Sequence, residues 1–452
     1  MVKKGDNMIF YIIGLLLVIY SFWDFKKSFE LFLGYKLILV TNITVISIVN
    51  LPILTLDMLL VIYYCTRYLL FSSKYQFATK PFPFMGPLLL FICSVIISSF
   101  FSQAGFIAEI SNIVGVILQN FLLIYMIWQI VDTKNDYTFL FIIITIVILF
   151  SCCYGVFEYS ISNNPLVEYE ATLNSDINKL INYSYMDEIS SRGYRVQSIF
   201  EHSIGAGINW ALYALFVLYS EVNNIKRPLR KISIITMVLC IICIFLTKMR
   251  SPLVFFFIAT IGCLNFKKKK SYILIFLGVI FLCTFINKFD YANVFFSLLQ
   301  TNNSIGGSTL KMRIAQYKAG VELWKYSPIW GLGSKFQNIM NNTLTSQLLG
   351  MESVWLSILV KYGLLGLISY LWLSIKSIVY LPTHYKTKEI FYISLAYWIT
   401  YTISSVPGMS MTMYYLFIFF WMKRSKIYEL SRLRGKKYKI YFKEWKIIYT
   451  KV

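Results

Sequence analysis

The chain has 452 residues, of which 58% are apolar and only 14% charged, with a net charge of +22. Soluble domains run at roughly 45–50% and about 25%, respectively, whereas here apolar runs of about 15–22 residues recur along nearly the whole length, each close to the ~20 needed to cross a ~30 Å hydrocarbon layer. A soluble enzyme is excluded, and a basic excess placed largely in short loops reads as membrane topology and anionic-lipid contact rather than nucleic-acid binding.

In chain order the apolar runs fall at 8–23, 31–50, 52–71, 82–101, 110–131, 137–159, 203–222, 231–247, 252–266, 271–287, 353–375, 389–405 and 409–423. Met8 to Trp23 lacks a small-residue cleavage site and leads into further membrane segments, so it does not read as a cleaved signal peptide. Within 31–71, Pro52 either separates two crossings or leaves one run lying in the interface. The expectation is an all-α polytopic membrane protein of about 12 or 13 transmembrane helices.

Strongly basic loops at Lys226 to Lys231, Lys267 to Lys270, Lys376 to Lys388 and from Lys423 onward fall on one side when the spans alternate, which the positive-inside rule makes cytoplasmic. The long polar loops 160–202 and 288–352 then share the outer face. The chain divides into N-terminal helices 1–159, a first outer loop 160–202, central helices 203–287, a second outer loop 288–352, C-terminal helices 353–423 and a basic tail 424–452. That tail, with aromatics among its basic residues, reads as a helix on the inner leaflet. The eight cysteines lie in or beside apolar runs, and the C-x-x-C pair Cys240 and Cys243 has no polar surroundings to support a metal or redox site.

The residues with chemical potential lie in or beside the outer loops. Arg195 precedes His202 and a helix whose N-terminal amides favour an anion; snorkelling to headgroups is the plainer alternative. Lys248 and Arg250 share a tight outer turn, where two cations call for an anionic partner, either a phosphate or a neighbouring acid. Lys311 to Trp324 has helical spacing of Met312, Ala315, Ala319 and Leu323, giving an amphipathic helix with Arg313 and Tyr317 as i,i+4 neighbours. Pro328 ends it, and Gly331 and Gly333 follow in a turn that allows close backbone approach. Glu352 opens the next span, either pairing with Arg250 or Arg313 or capping the helix, or serving as a general base.

In order and spacing, 137–375 resembles the O-antigen ligase/Wzy polymerase superfamily, membrane glycosyltransferases of GT-C type. The resemblance rests on Arg195 with His202, on Arg250-Ser251, on Arg313 to Trp324 running into Ser327-Pro328-Ile329-Trp330-Gly331-Leu332-Gly333-Ser334-Lys335-Phe336, and on Glu352 to Leu356 running into Lys361 to Gly366. It implies transfer of a growing glycan from undecaprenyl pyrophosphate to the non-reducing end of another lipid-linked repeat unit, on the outer face of a bacterial cytoplasmic membrane. Undecaprenyl-pyrophosphate-linked oligosaccharide would be both donor and acceptor. A chain-length regulator and a flippase are implied as partners, with no metal or other cofactor. Glu352, Arg250 and Arg313 would be catalytic; Arg195, His202, Tyr317, Lys248, Gly331 and Gly333 would bind substrate. Ligases usually carry histidine where Glu352 stands, which tilts the expectation toward a polymerase. A ligase to another acceptor and a lipid-linked oligosaccharide flippase are the alternatives.

Overall fold

The computed structural model describes residues 8–38, 43–46, 54–71, 81–173, 194–200, 202–223, 225, 227–264, 310–336, 351–404, 411–423, 438–443 and 446–451. It is mostly helical. The helices are α1 Met8–Ser21, α2 Phe25–Ile38, α3 Leu56–Phe71, α4 Met85–Phe100, α5 Phe106–Ile130, α6 Lys134–Ile161, α7 Pro165–Leu173, α8 Ser203–Val222, α9 Arg230–Leu246, α10 Arg250–Cys263, α11 Leu310–Tyr326, α12 Val354–Tyr385, α13 Lys388–Ile403 and α14 over 411–423.

Among the described residues, α5, α6, α8 and α12 are long and apolar enough to cross a membrane, and α1, α4 and α10 are shorter apolar helices. The chain is an integral membrane protein built of helices; four of the described helices reach spanning length, and the expected count of about 12 or 13 draws also on residues outside those described. The run at 271–287 lies outside the described residues. The run 31–50 is not one crossing: α2 stops at Ile38, and Thr44–Ile46 (β1) pairs antiparallel with Leu54–Thr55 (β2) ahead of α3. The β-branched residues Ile43 to Ile46 favour strand over helix, which breaks an otherwise apolar stretch. The tail likewise departs from the expected helix, because Tyr438–Lys443 (β3) pairs antiparallel with Lys446–Lys451 (β4). Alternation of Tyr438, Ile440 and Phe442 with Lys439 and Lys443 is a period-two pattern, and it suits a strand.

α8 and α14 form the centre. α8 is almost wholly buried, and every residue of α14 is buried; Phe216 meets Phe417 with ring centroids 5.5 Å apart. Around them α9 packs on α6 and α8, α10 on α8 and α13, and α12 on α4. Local signals set the helix starts. Thr133 and Asp136 form a capping box at α6, and the side chains of His202 and Ser353 cap α8 and α12. The interior is less uniformly apolar than the runs imply. The Lys36 ammonium sits 2.5 Å from Asp57, which also accepts a bond from Gln119 at 3.2 Å.

Candidate functional site

Three separated stretches meet at the end of the bundle formed by the starts of α8, α10 and α12. The first is 194–198. The Glu158 carboxylate, fully buried near the end of α6, accepts bonds from the Tyr194 hydroxyl at 2.8 Å and from the amides of Gln197 at 3.1 Å and Ser198 at 2.7 Å. The Val196 amide donates to the Leu246 carbonyl at the end of α9, at 3.3 Å. Arg195 therefore projects from a segment pinned on both sides.

The second stretch is the α9–α10 turn. Lys248 takes a positive φ of 50°, which reverses the chain and makes Arg250 the first residue of α10. This turn is pressed onto the start of α8, where a Cβ added at Gly207 would come within 2.6 Å of Pro252. Arg195 and Arg250 are thereby close enough to act on each other electrostatically. Burial, reinforced by the Arg195 charge, holds the Lys248 ammonium below its ordinary pKa.

The third stretch joins α11 to α12. Ala319 and Leu323 of α11 bury against Leu356 and Val360 of α12, with Leu332, Phe336 and Met351 completing a small core of their own. The Arg313 guanidinium lies 3.2 Å from the Glu352 carboxylate, with 27% and 34% of the side chains exposed. A pair that wet contributes at most about 1 kcal/mol, so stability is a weak reason for its presence. Arg313 and Glu352 both also act on Arg250. The Tyr317 hydroxyl, one turn from Arg313, donates to the Thr402 carbonyl of α13 at 3.0 Å.

Arg195, Lys248, Arg250, Arg313 and Glu352, which come from four separate parts of the chain, thus share one place. Among the described residues, Arg195, Lys248, Arg250 and Arg313 beside Glu352 make a half-buried surface suited to a multiply charged anion. His202 stands at the start of α8, its Nδ1 accepting the Ile204 amide at 3.0 Å. Gly331 and Gly333 face protein instead: a Cβ on Gly331 would run into the Lys361 carbonyl, and one on Gly333 into Ser102. Sequence reading passed over Glu158 and Glu109. Each is a carboxylate set in an otherwise apolar stretch of helix, and the cost of placing one there was the available signal.

Residues 235–371 match the family model described as O-antigen ligase, in agreement with the superfamily to which the motifs point. The matched segment contains Lys248, Arg250, Arg313, Gly331, Gly333 and Glu352; Arg195 and His202 lie before it. No curated protein matches the chain.

Proposed function

We propose that this chain, whose O-antigen ligase segment implies ligase- or polymerase-type glycan transfer, is a GT-C-type polysaccharide polymerase. It moves a growing glycan from undecaprenyl pyrophosphate to the non-reducing end of a second lipid-linked repeat unit, on the outer face of the cytoplasmic membrane. The observation that carries this reading is the placement of Arg250 within electrostatic reach of Arg195, Arg313 and Glu352, with Arg313 paired to Glu352.

In this reading the three guanidinium groups and Lys248 hold the donor's pyrophosphate. The bond between the sugar's anomeric carbon and the phosphate oxygen breaks, and its electrons go to a leaving group whose charge the arginines stabilise. Glu352 orients the acceptor hydroxyl and takes its proton as the new glycosidic bond forms on the opposite face of the sugar, so the configuration inverts. Arg313 fixes the direction of the Glu352 carboxylate and faces the departing charge. His202 and Tyr317 flank the sugars, and Gly331 and Gly333 act at a remove by letting the turn close on Lys361 and Ser102. Transfer driven by the leaving pyrophosphate does not call for a metal and is expected to persist in a chelator.

Transfer to a different acceptor, as by a ligase, is the second reading, and the description of the matched family favours it. Incubating the purified protein with undecaprenyl-pyrophosphate-linked repeat units alone separates the two. A ladder of lipid-linked oligomers supports the polymerase. Product that forms only after another acceptor is added supports the ligase. Movement of the lipid across vesicles with neither product would overturn both readings in favour of a flippase.

A further inference from the structure

We propose that Glu109 is a positioning residue: its carboxylate clasps the turn following α11 to the membrane bundle and so sets Arg313 and Glu352 in register with the donor-binding arginines. For its effect on transfer this rests on the reading above; its geometry does not.

Glu109 lies in the first turn of α5 and is fully buried. Its oxygens accept the Ser102 hydroxyl at 3.0 Å, the Lys335 amide at 3.0 Å and the Ser334 hydroxyl. Two of these donors belong to the turn and one to the α4–α5 loop, so the carboxylate joins elements separated by about half the chain. Beside it Trp330 stacks on Phe101 with centroids 5.3 Å apart and planes at 10°. The Ser98 hydroxyl of α4 donates to the Lys361 carbonyl at 2.6 Å.

Backbone bonds already tie the turn after α11 to α12, and Glu109 adds the tie to the α4–α5 side. The buried face of α11 meets α12 in a small core separate from the main one, and the Arg313–Glu352 pair is too exposed to hold it in place. Arg195 and Arg250 are seated independently, on α6, α8, α9 and α10. Loosening the clasp should therefore move the acceptor side of the site against an intact donor side. Replacing this buried carboxylate leaves the buried Ser102 hydroxyl, and the donors of Ser334 and Lys335 in their half-buried bonds, without their acceptor.

The test measures a distance and a rate. Spin labels are placed at the exposed positions Ile107 on α5 and Lys318 on α11 through Ile107→Cys and Lys318→Cys, with accessible native cysteines replaced by serine. The parent should give one narrow distance distribution, and Glu109→Ala a broadened or shifted one. In the unlabelled full-length protein, Glu109→Ala should lower kcat about ten- to hundred-fold, while the donor's KM stays within about three-fold. Glu109→Gln, which keeps the size but replaces one acceptor oxygen by an amide NH2 donor, should fall between. An unchanged distribution in Glu109→Ala overturns the clasp, as does a loss expressed in donor KM alone. Should the wild type perform no transfer at all, the proposed reaction fails, and the distance distributions still decide the clasp.

Discussion

Arg250 owes its place to small residues and a reversed turn: Gly207 lets Pro252 approach α8, and Lys248 at positive φ aims the start of α10 toward Arg195. Burial lowers the pKa of the Lys248 ammonium below its ordinary value, and the neighbouring Arg195 charge adds to the effect. On the proposed reading, a bound pyrophosphate would offset the repulsion among these cations. Arg250→Ala and Glu352→Gln are each expected to reduce transfer about 10²–10³-fold, the scale of losing one transition-state charge partner, with membrane expression unchanged. Full activity in both variants would remove these residues from the mechanism. Glu158 acts differently, since it touches the loop backbone and Tyr194 and places Arg195 from behind.

At the scale of elements, the informative feature is the break in α12. Gly363 has φ 62° and ψ −159° inside the helix, a combination open almost solely to glycine. The break frees the carbonyls of Val360 and Lys361, which accept the amides of Leu332 at 2.9 Å and Gly333 at 3.0 Å. Beyond it the Leu364 amide donates to the Pro328 carbonyl at 2.9 Å. Irregular backbone beside a membrane helix is thus satisfied by the turn that follows α11. Gly363→Ala would force about 1–3 kcal/mol of backbone strain and drive a Cβ into the Ile329 carbonyl. A clear drop in melting temperature is expected, together with lost transfer. Gly115→Ala, whose Cβ would meet only the Met58 methyl at 3.7 Å, should leave both unchanged and serves as the control.

For the whole molecule, α12 runs from beside Glu352 to Tyr385, so its two ends lie on opposite sides of a bundle whose centre is α8 and α14. Read by the positive-inside rule, Lys386 and Lys388 beside the Tyr385 end would put that end in the cytoplasm and the Glu352 end outside. A membrane-impermeant thiol reagent is accordingly expected to label Lys318→Cys in intact cells and Lys386→Cys only after the membrane is opened. Labelling in the opposite order would place the site in the cytoplasm and sink the proposed substrates.

Helix positions and the R…W…SPIWGLGSKF block were legible in the sequence by itself, because apolar periodicity and the Pro and Gly stops are local properties of the chain. α8 falls on the expected run 203–222, and the amphipathic helix ends just before Pro328 as read. The pairing of Arg313 with Glu352 was among the alternatives the spacing left open, and packing of α11 on α12 selected it. Tertiary structure alone decided that Arg195 and Arg250 share one site with that pair, that 31–50 is broken by a strand, and that Glu109 and Glu158 secure the loops. Each of these depends on which remote segment supplies a partner for a charge or a backbone amide. Composition states the cost of a buried carboxylate, and only the fold supplies the donors that meet it.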